Sequence, residues 1–228
     1  ESGQDAAAQR PTRAQRVASS EDSAAEPSTT PEQTSVRELT AAEQDRRLAR
    51  QLQEMLNTGQ LPGARERLRS QLAPDSDRPQ SRNVMARYHL RRGNTQRARD
   101  WLPRSSVERH PSLRLLRARV AKVDQGPAEA LVWLRQDPPA VGDYPEYHSM
   151  LAAMLQKTNQ PEAAARVWAD LLETDDSRAR WWAGLGIALE ALGSRANALD
   201  AFSQAARLPG LSRRLQLYVE QRLREEQG

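Results

Sequence analysis

The chain has 228 residues, of which 38% are hydrophobic and 28% charged, and it carries a formal net charge of +4 without a single cysteine. A mean hydropathy of −0.82 argues against one large globular core, and the lack of cysteine excludes disulfides, thiolate metal ligation and a cysteine nucleophile. Ala and Leu dominate the apolar residues, with one Phe, which favours helices packed through small contacts over strands.

Residues 1–36 read as a disordered tether. Val17 and Val36 are their only larger aliphatics, too little apolar surface to offset the entropy of ordering. Three Arg stand there against six acidic residues, a net charge of −3, which leaves +7 for the remainder. The first residue is Glu1 rather than Met, so an upstream segment is expected, and any signal or anchor would lie in it. No stretch reaches the roughly 18 apolar residues of a membrane span, and no secretory signal is present.

From Leu39 onward apolar residues recur at three- and four-residue spacing, interrupted about every fifteen residues by Gly, Asn or Pro. Ala64, Ala98, Ala130, Ala164 and Ala198 follow one another at 34, 32, 34 and 34 residues. Five positions before each stand Gly59, Gly93, Gln125, Asn159 and Gly193; four positions after stand Leu68, Leu102, Leu134, Trp168 and Phe202. Twelve positions before, the series is Leu52, Ala86, Ala118, Ala152 and Gly186. Small residues in the first and last of these columns let two helices approach, Gly or Asn suits the left-handed turn between them, and the bulky residue fills the gap to the next unit. One such unit cannot bury its apolar face alone, but five stacked units can.

A 34-residue period with these columns resembles the tetratricopeptide repeat (TPR). The expected fold is therefore all-α, a TPR solenoid of about five helix pairs, with repeats at 45–78, 79–110, 111–144, 145–178 and 179–210 within residues 37–210. The 32-residue step implies a shortened turn near Ser105 to His110. Leu215, Val219 and Leu223 then mark an amphipathic helix within 211–228, with Ser212 as its N-cap, that closes the last apolar face.

No constellation points to catalysis. His89, His110 and His148 lack a second metal ligand at helical spacing, and His89 and His148 fall on positions that pack inside a helix pair. There is no phosphate loop, nucleophile elbow or HExxH motif, and Asp175-Asp176 reads as a capping pair rather than a dyad. The expectation is a non-enzymatic scaffold with no catalytic residue, no metal and no cofactor. Of the adjacent Trp181 and Trp182, the second takes the core position; Trp181 faces elsewhere, either onto the preceding repeat or toward a ligand.

The charge pattern suggests where a partner would sit. Arg82 to Arg119 holds eleven arginines against Asp100 and Glu108. In a TPR stack the inner wall is formed by the second, fifth, ninth, twelfth and thirteenth positions of each first helix. Those positions include Arg46, Asn83, Arg87, Arg91, Arg119, Lys122 and Lys157, with Trp181 as a candidate aromatic contact. Guanidinium and amide donors along one wall suit an acidic protein segment. A merely solvated basic surface is the plain alternative, and nucleic acid is disfavoured because aromatic residues are not interleaved with the basic ones. The acidic tether is also long enough to fold back onto this wall: at about 3.3 Å per residue it could extend about 115 Å.

The run Arg180-Trp181-Trp182-Ala183-Gly184-Leu185-Gly186-Ile187-Ala188-Leu189-Glu190, followed by Ala198-Leu199-Asp200-Ala201-Phe202 and Leu208-Pro209-Gly210-Leu211-Ser212, resembles the C-terminal region of MshN-like proteins of MSHA-type pilus biogenesis. The likeness is close over about fifty residues and elsewhere rests on layout, a Pro-containing acidic tether followed by TPRs. It implies a periplasmic chain attached to the inner membrane only through an upstream segment, with type IV pilus assembly components as partners. Two other settings fit a TPR scaffold, a cytoplasmic co-chaperone or regulator and a periplasmic protein of envelope biogenesis.

Overall fold

The computed structural model of the chain describes residues 38–72 and 77–225; the tether expected over 1–36 lies outside them. The described residues hold twelve α-helices and no strand. Helices α1 (Ala41–Asn57) and α2 (Leu61–Ser70) form the first pair, and α3 (Pro79–Arg91) with α4 (Thr95–Asp100) the second, followed by the short α5 (Arg104–Arg109). Then come α6 (Pro111–Asp124) with α7 (Pro127–Leu134), α8 (Pro145–Lys157) with α9 (Pro161–Thr174), and α10 (Ala179–Ala191) with α11 (Arg195–Arg207). The last helix, α12 (Arg213–Arg224), packs on α11 and closes the stack. Consecutive first helices touch, α1 to α3 to α6 to α8 to α10, so they form one continuous layer.

Local chemistry sets the helix starts. Thr40 and Glu43 make a capping box at α1, with the Glu43 amide donating to Thr40 Oγ1 at 3.2 Å and the Thr40 amide to Glu43 Oε2 at 2.8 Å. Proline opens the first turn of α3, α6, α7, α8 and α9, where its missing N–H costs nothing. Ser212 caps α12 as expected, accepting from the Leu215 amide.

The periodic columns become the interior. Ala64, Ala98, Ala130, Ala164 and Ala198 are all buried, as are Leu52, Ala86, Ala118 and Ala152. Leu68, Leu102, Leu134, Trp168 and Phe202 are buried as the bulky partners. The core falls into three consecutive clusters, spanning α1 to α6, α6 to α10, and α10 to α12; Trp133 packs against the first two.

Two details differ from the sequence expectation. Ser105 to His110 is not a shortened turn: α4 stops at Asp100, and α5 takes up these residues after Pro103. The deficit thus falls on the second helix of the pair. In the third pair the left-handed residue is Gly126 at φ 96°, not Gln125, whose φ is −132°. Gly59, Gly93, Asn159 and Gly193 hold the expected column, with positive φ at each.

Two buried charges fasten joints between pairs. Asp45 on α1 is 2% exposed and accepts from the Gln80 amide at 2.7 Å, the Ser81 amide at 3.1 Å and Ser81 Oγ at 2.6 Å. These amides belong to the first turn of α3, whose own N-cap residue, Arg78, supplies no side-chain cap. A carboxylate from the preceding pair therefore caps α3 in trans, where the helix dipole also favours it. Arg114 on α6, 1% exposed, donates to the carbonyls of Gln136, Asp137 and Glu108 and so ties the loop after α7 to α5 and α6.

Asp45→Ala should lower stability by about 2–3 kcal/mol, because it orphans buried donors that now meet a charged acceptor. Asp45→Asn should fall between it and wild type. Urea unfolding followed by circular dichroism measures both, and a wild-type midpoint for Asp45→Ala would show that this cap does not hold the joint.

Candidate functional site

The layer of first helices presents two adjacent cavities. The larger, of about 700 Å³, is lined by Arg119 of α6, by Glu146, Ser149 and Met150 of α8, and by Arg178, Arg180 and Trp181 at the start of α10. The smaller, of about 300 Å³, is lined by Asn83 and Arg87 of α3, Arg119 of α6, and Asp143, Tyr144 and Glu146 at the start of α8. Arg119, Pro145 and Glu146 line both. Three arginines thus face one carboxylate in the larger cavity, whereas two arginines face two carboxylates in the smaller.

The residues expected on the inner wall divide into two groups. Asn83, Arg87 and Arg119 come together at these cavities. Arg46 lies apart, in a third cavity with Ala42, Arg78 and Gln80. Arg91, Lys122 and Lys157 are exposed toward the C-terminal ends of α3, α6 and α8 and line neither main cavity. Arg119 is not an unpaired cation, because its guanidinium meets Glu146 Oε2 at 3.0 Å. Arg87 and Arg180 have no ion-pair partner among the described residues.

Sequence reasoning missed Glu146, Arg178 and Arg180. Glu146 and Arg180 occupy the second position of their repeats, the same rule that selects Arg46, so the signal for them was present. Arg178 has no such signal. It is placed by the turn before α10, where the Asp175 carboxylate accepts from the Ser177 amide at 3.1 Å and pairs with Arg178 at 2.6 Å. The Ser177 hydroxyl, which also donates to it, then Arg178 and the Ser177 amide hold the Asp175 carboxyl down at about 2. Asp175 therefore organises the turn instead of capping α10, whose N-cap residue is Arg178 without a side-chain cap.

Both tryptophans pack. Trp181 is 8% exposed and belongs to the middle core cluster with α8 and α9, so it leans on the preceding pair, and one part of it reaches the larger cavity. Trp182 is the less buried of the two; it packs on the C-terminal cluster and donates from Nε1 to the Asp176 carbonyl at 2.7 Å. His89 and His148 are buried inside their pairs, and His148 Nε2 lies 2.7 Å from the Pro139 carbonyl. Among the described residues no cluster of His, Cys, Asp and Glu could hold a metal ion, and no helix is long and apolar enough to cross a membrane.

Known structures share this arrangement. YrrB, described as a TPR protein with an unusual peptide-binding site, superposes with a TM-score of 0.59 at 16% identity, over 76% of this chain and 90% of its own. A mutant of MamA superposes with a TM-score of 0.53 at 13% identity, over 75% of this chain and 100% of its own. This is the fold of a TPR solenoid. No protein-family model matches the chain, and no curated protein does. The comparison establishes the fold alone, a solenoid of stacked helix pairs.

Burial, then the charges of Arg97 and Arg65, lower the pKa of His89, whose Nδ1 is buried without a hydrogen-bond partner. A histidine kept neutral in the fold but free to protonate when unfolded makes the unfolded chain bind more protons below its ordinary value near 6.5. Stability should therefore fall as pH drops from about 6.5 toward 5. In His89→Leu this slope should be shallower, read as the urea midpoint against pH; an unchanged slope would remove His89 as its source.

Proposed function

We propose that the chain is a non-catalytic scaffold that holds an extended acidic segment of a partner protein in the trough lined by α3, α6, α8 and α10. The observation that carries this reading is the larger cavity, lined by Arg119, Arg178 and Arg180 together with Met150 and Trp181. Guanidinium groups in a sheltered recess bind carboxylates through paired hydrogen bonds, and the thioether and indole supply apolar contact for a neighbouring side chain. YrrB, which shares the fold, is described as having a peptide-binding site, and this supports a peptide-holding role.

The biological setting we propose is assembly of a type IV pilus or a related envelope machine, in the periplasm, with the chain held to the inner membrane by a segment upstream of Glu1. The support for this is the resemblance of Arg180–Glu190 and Leu208–Ser212 to the MshN-like proteins. A fusion of alkaline phosphatase to the C-terminus of the full gene product should be active, and loss of the gene should reduce surface pili. An inactive fusion with intact pili would refute the setting while leaving the groove untouched.

For the groove itself, fluorescence anisotropy of a labelled peptide built of Glu, Leu and Ser should report binding that weakens with added salt. The double change Arg87→Glu and Arg180→Glu, which breaks no ion pair among the described residues, should abolish it. Arg69→Glu with Arg166→Glu, on the exposed faces of α2 and α9, should retain it. Equal loss in both double variants would mean that the peptide reads overall charge and not the groove.

A further inference from the structure

The pair formed by Arg119 and Glu146 stands where the two cavities meet, since both residues line both. Its side chains are 33% and 72% exposed respectively, so water competes for the contact and the pair is held weakly. Glu146 does not depend on Arg119 for its own place. It sits in the first turn of α8, directly after Pro145, where the unpaired amides and the helix dipole favour a carboxylate. Among the described residues no other carboxylate pairs with Arg119. The arrangement is a carboxylate already resting on the arginine that an incoming carboxylate would use.

Resting on the groove reading above, we propose that Glu146 is a built-in competitor for the ligand: it occupies Arg119 in the free chain and divides the trough, and an acidic side chain of the partner must displace it to join the two cavities. The consequence is selectivity. A segment with a single carboxylate can pair with Arg87 or Arg180 and leaves Glu146 in place, since exchanging one exposed ion pair for another at Arg119 gains little. A segment with several carboxylates can displace Glu146 while also meeting Arg180 on one side or Arg87 on the other, neither of which is occupied by an acid of the described residues. The released Glu146, largely exposed, turns into solvent. The groove thereby favours clustered acidic residues over isolated ones.

A double-mutant cycle with the same Glu, Leu and Ser peptide tests this. Glu146→Gln should tighten binding about two- to fivefold, the range expected from releasing one exposed ion pair. Glu173→Gln, the same charge change on the exposed end of α9, should alter it far less. In an Arg119→Gln background the gain from Glu146→Gln should shrink to that of Glu173→Gln, because there is then no arginine to release. If Glu146→Gln leaves binding unchanged, weakens it, or tightens it equally with and without Arg119, Glu146 is not a competitor at Arg119, even though the groove reading survives through its dependence on Arg87 and Arg180. If neither wild type nor Glu146→Gln binds the peptide at all, the groove reading fails and this inference fails with it.

Discussion

Everything in this stack depends on how closely two helices can approach. A Cβ added at Gly186 would stand 2.5 Å from the Phe202 ring, and one at Gly184 would stand 2.5 Å from the Trp168 ring of the preceding pair. The rings fill the space that side chains would otherwise need, and each does so from a buried position. Gly186 thus sets the spacing within the last pair, and Gly184 sets it between pairs. Because interiors are close-packed, neither spacing can relax without opening a void or forcing a ring out of its rotamer. The same approach, made with Ala in the middle pairs, brings the first helices into one layer, and only then do residues on α3, α6, α8 and α10 share a trough.

What the sequence made legible follows from the range of the physics involved. The small and bulky columns are local, each helix meeting its own partner across a short turn, and they emerge from periodicity alone. Gly193 and Asn159 could be placed for the same reason. The second pair could not, because nothing in a 32-residue step says whether a turn or a helix has been shortened; Pro103 followed by Arg104–Arg109 resolves it only once the end of α4 at Asp100 is known. Asp45 and Arg114 were equally opaque. Each answers a need created elsewhere, the uncapped start of α3 or the stray carbonyls of Gln136 and Asp137, and such needs appear only after the pairs are stacked.

The candidate site shows the same division. A positional rule chose Asn83, Arg87 and Arg119, which do converge, because the rule describes the face of a helix. It also chose Arg91, Lys122 and Lys157, which sit too far along their helices to reach either cavity. What it did not supply was the pairing of Arg119 with Glu146, 27 residues away, or the turn built by Asp175 that delivers Arg178. A rule about faces says which residues look inward; it does not say which of them are already occupied.

Occupancy changes the meaning of the arginine-rich stretch from Arg82 to Arg119. Arg114 is spent on backbone carbonyls, and Arg92 and Arg117 stack over Tyr88 and Trp133 at 3.8 and 4.8 Å. Arg82 and Arg109 lie at Asp77, whose carboxyl burial would raise but which hydrogen bonds from Ser106 and His110 and the charges of His110 and Arg109 bring below its ordinary value. Arg99 pairs with Asp124, Arg104 with Glu108 and Arg119 with Glu146. Most of this positive charge is therefore structural: it joins helices, covers aromatic faces or answers a carboxylate on the next pair. A high count of arginines does not by itself make a binding surface, since a guanidinium engaged in the fold must be released before it can engage a ligand. The charge that a partner can use at the two cavities lies in Arg87 and Arg180, which no acid of the described residues pairs, and in Arg119, which is reached by displacing the acid that holds it.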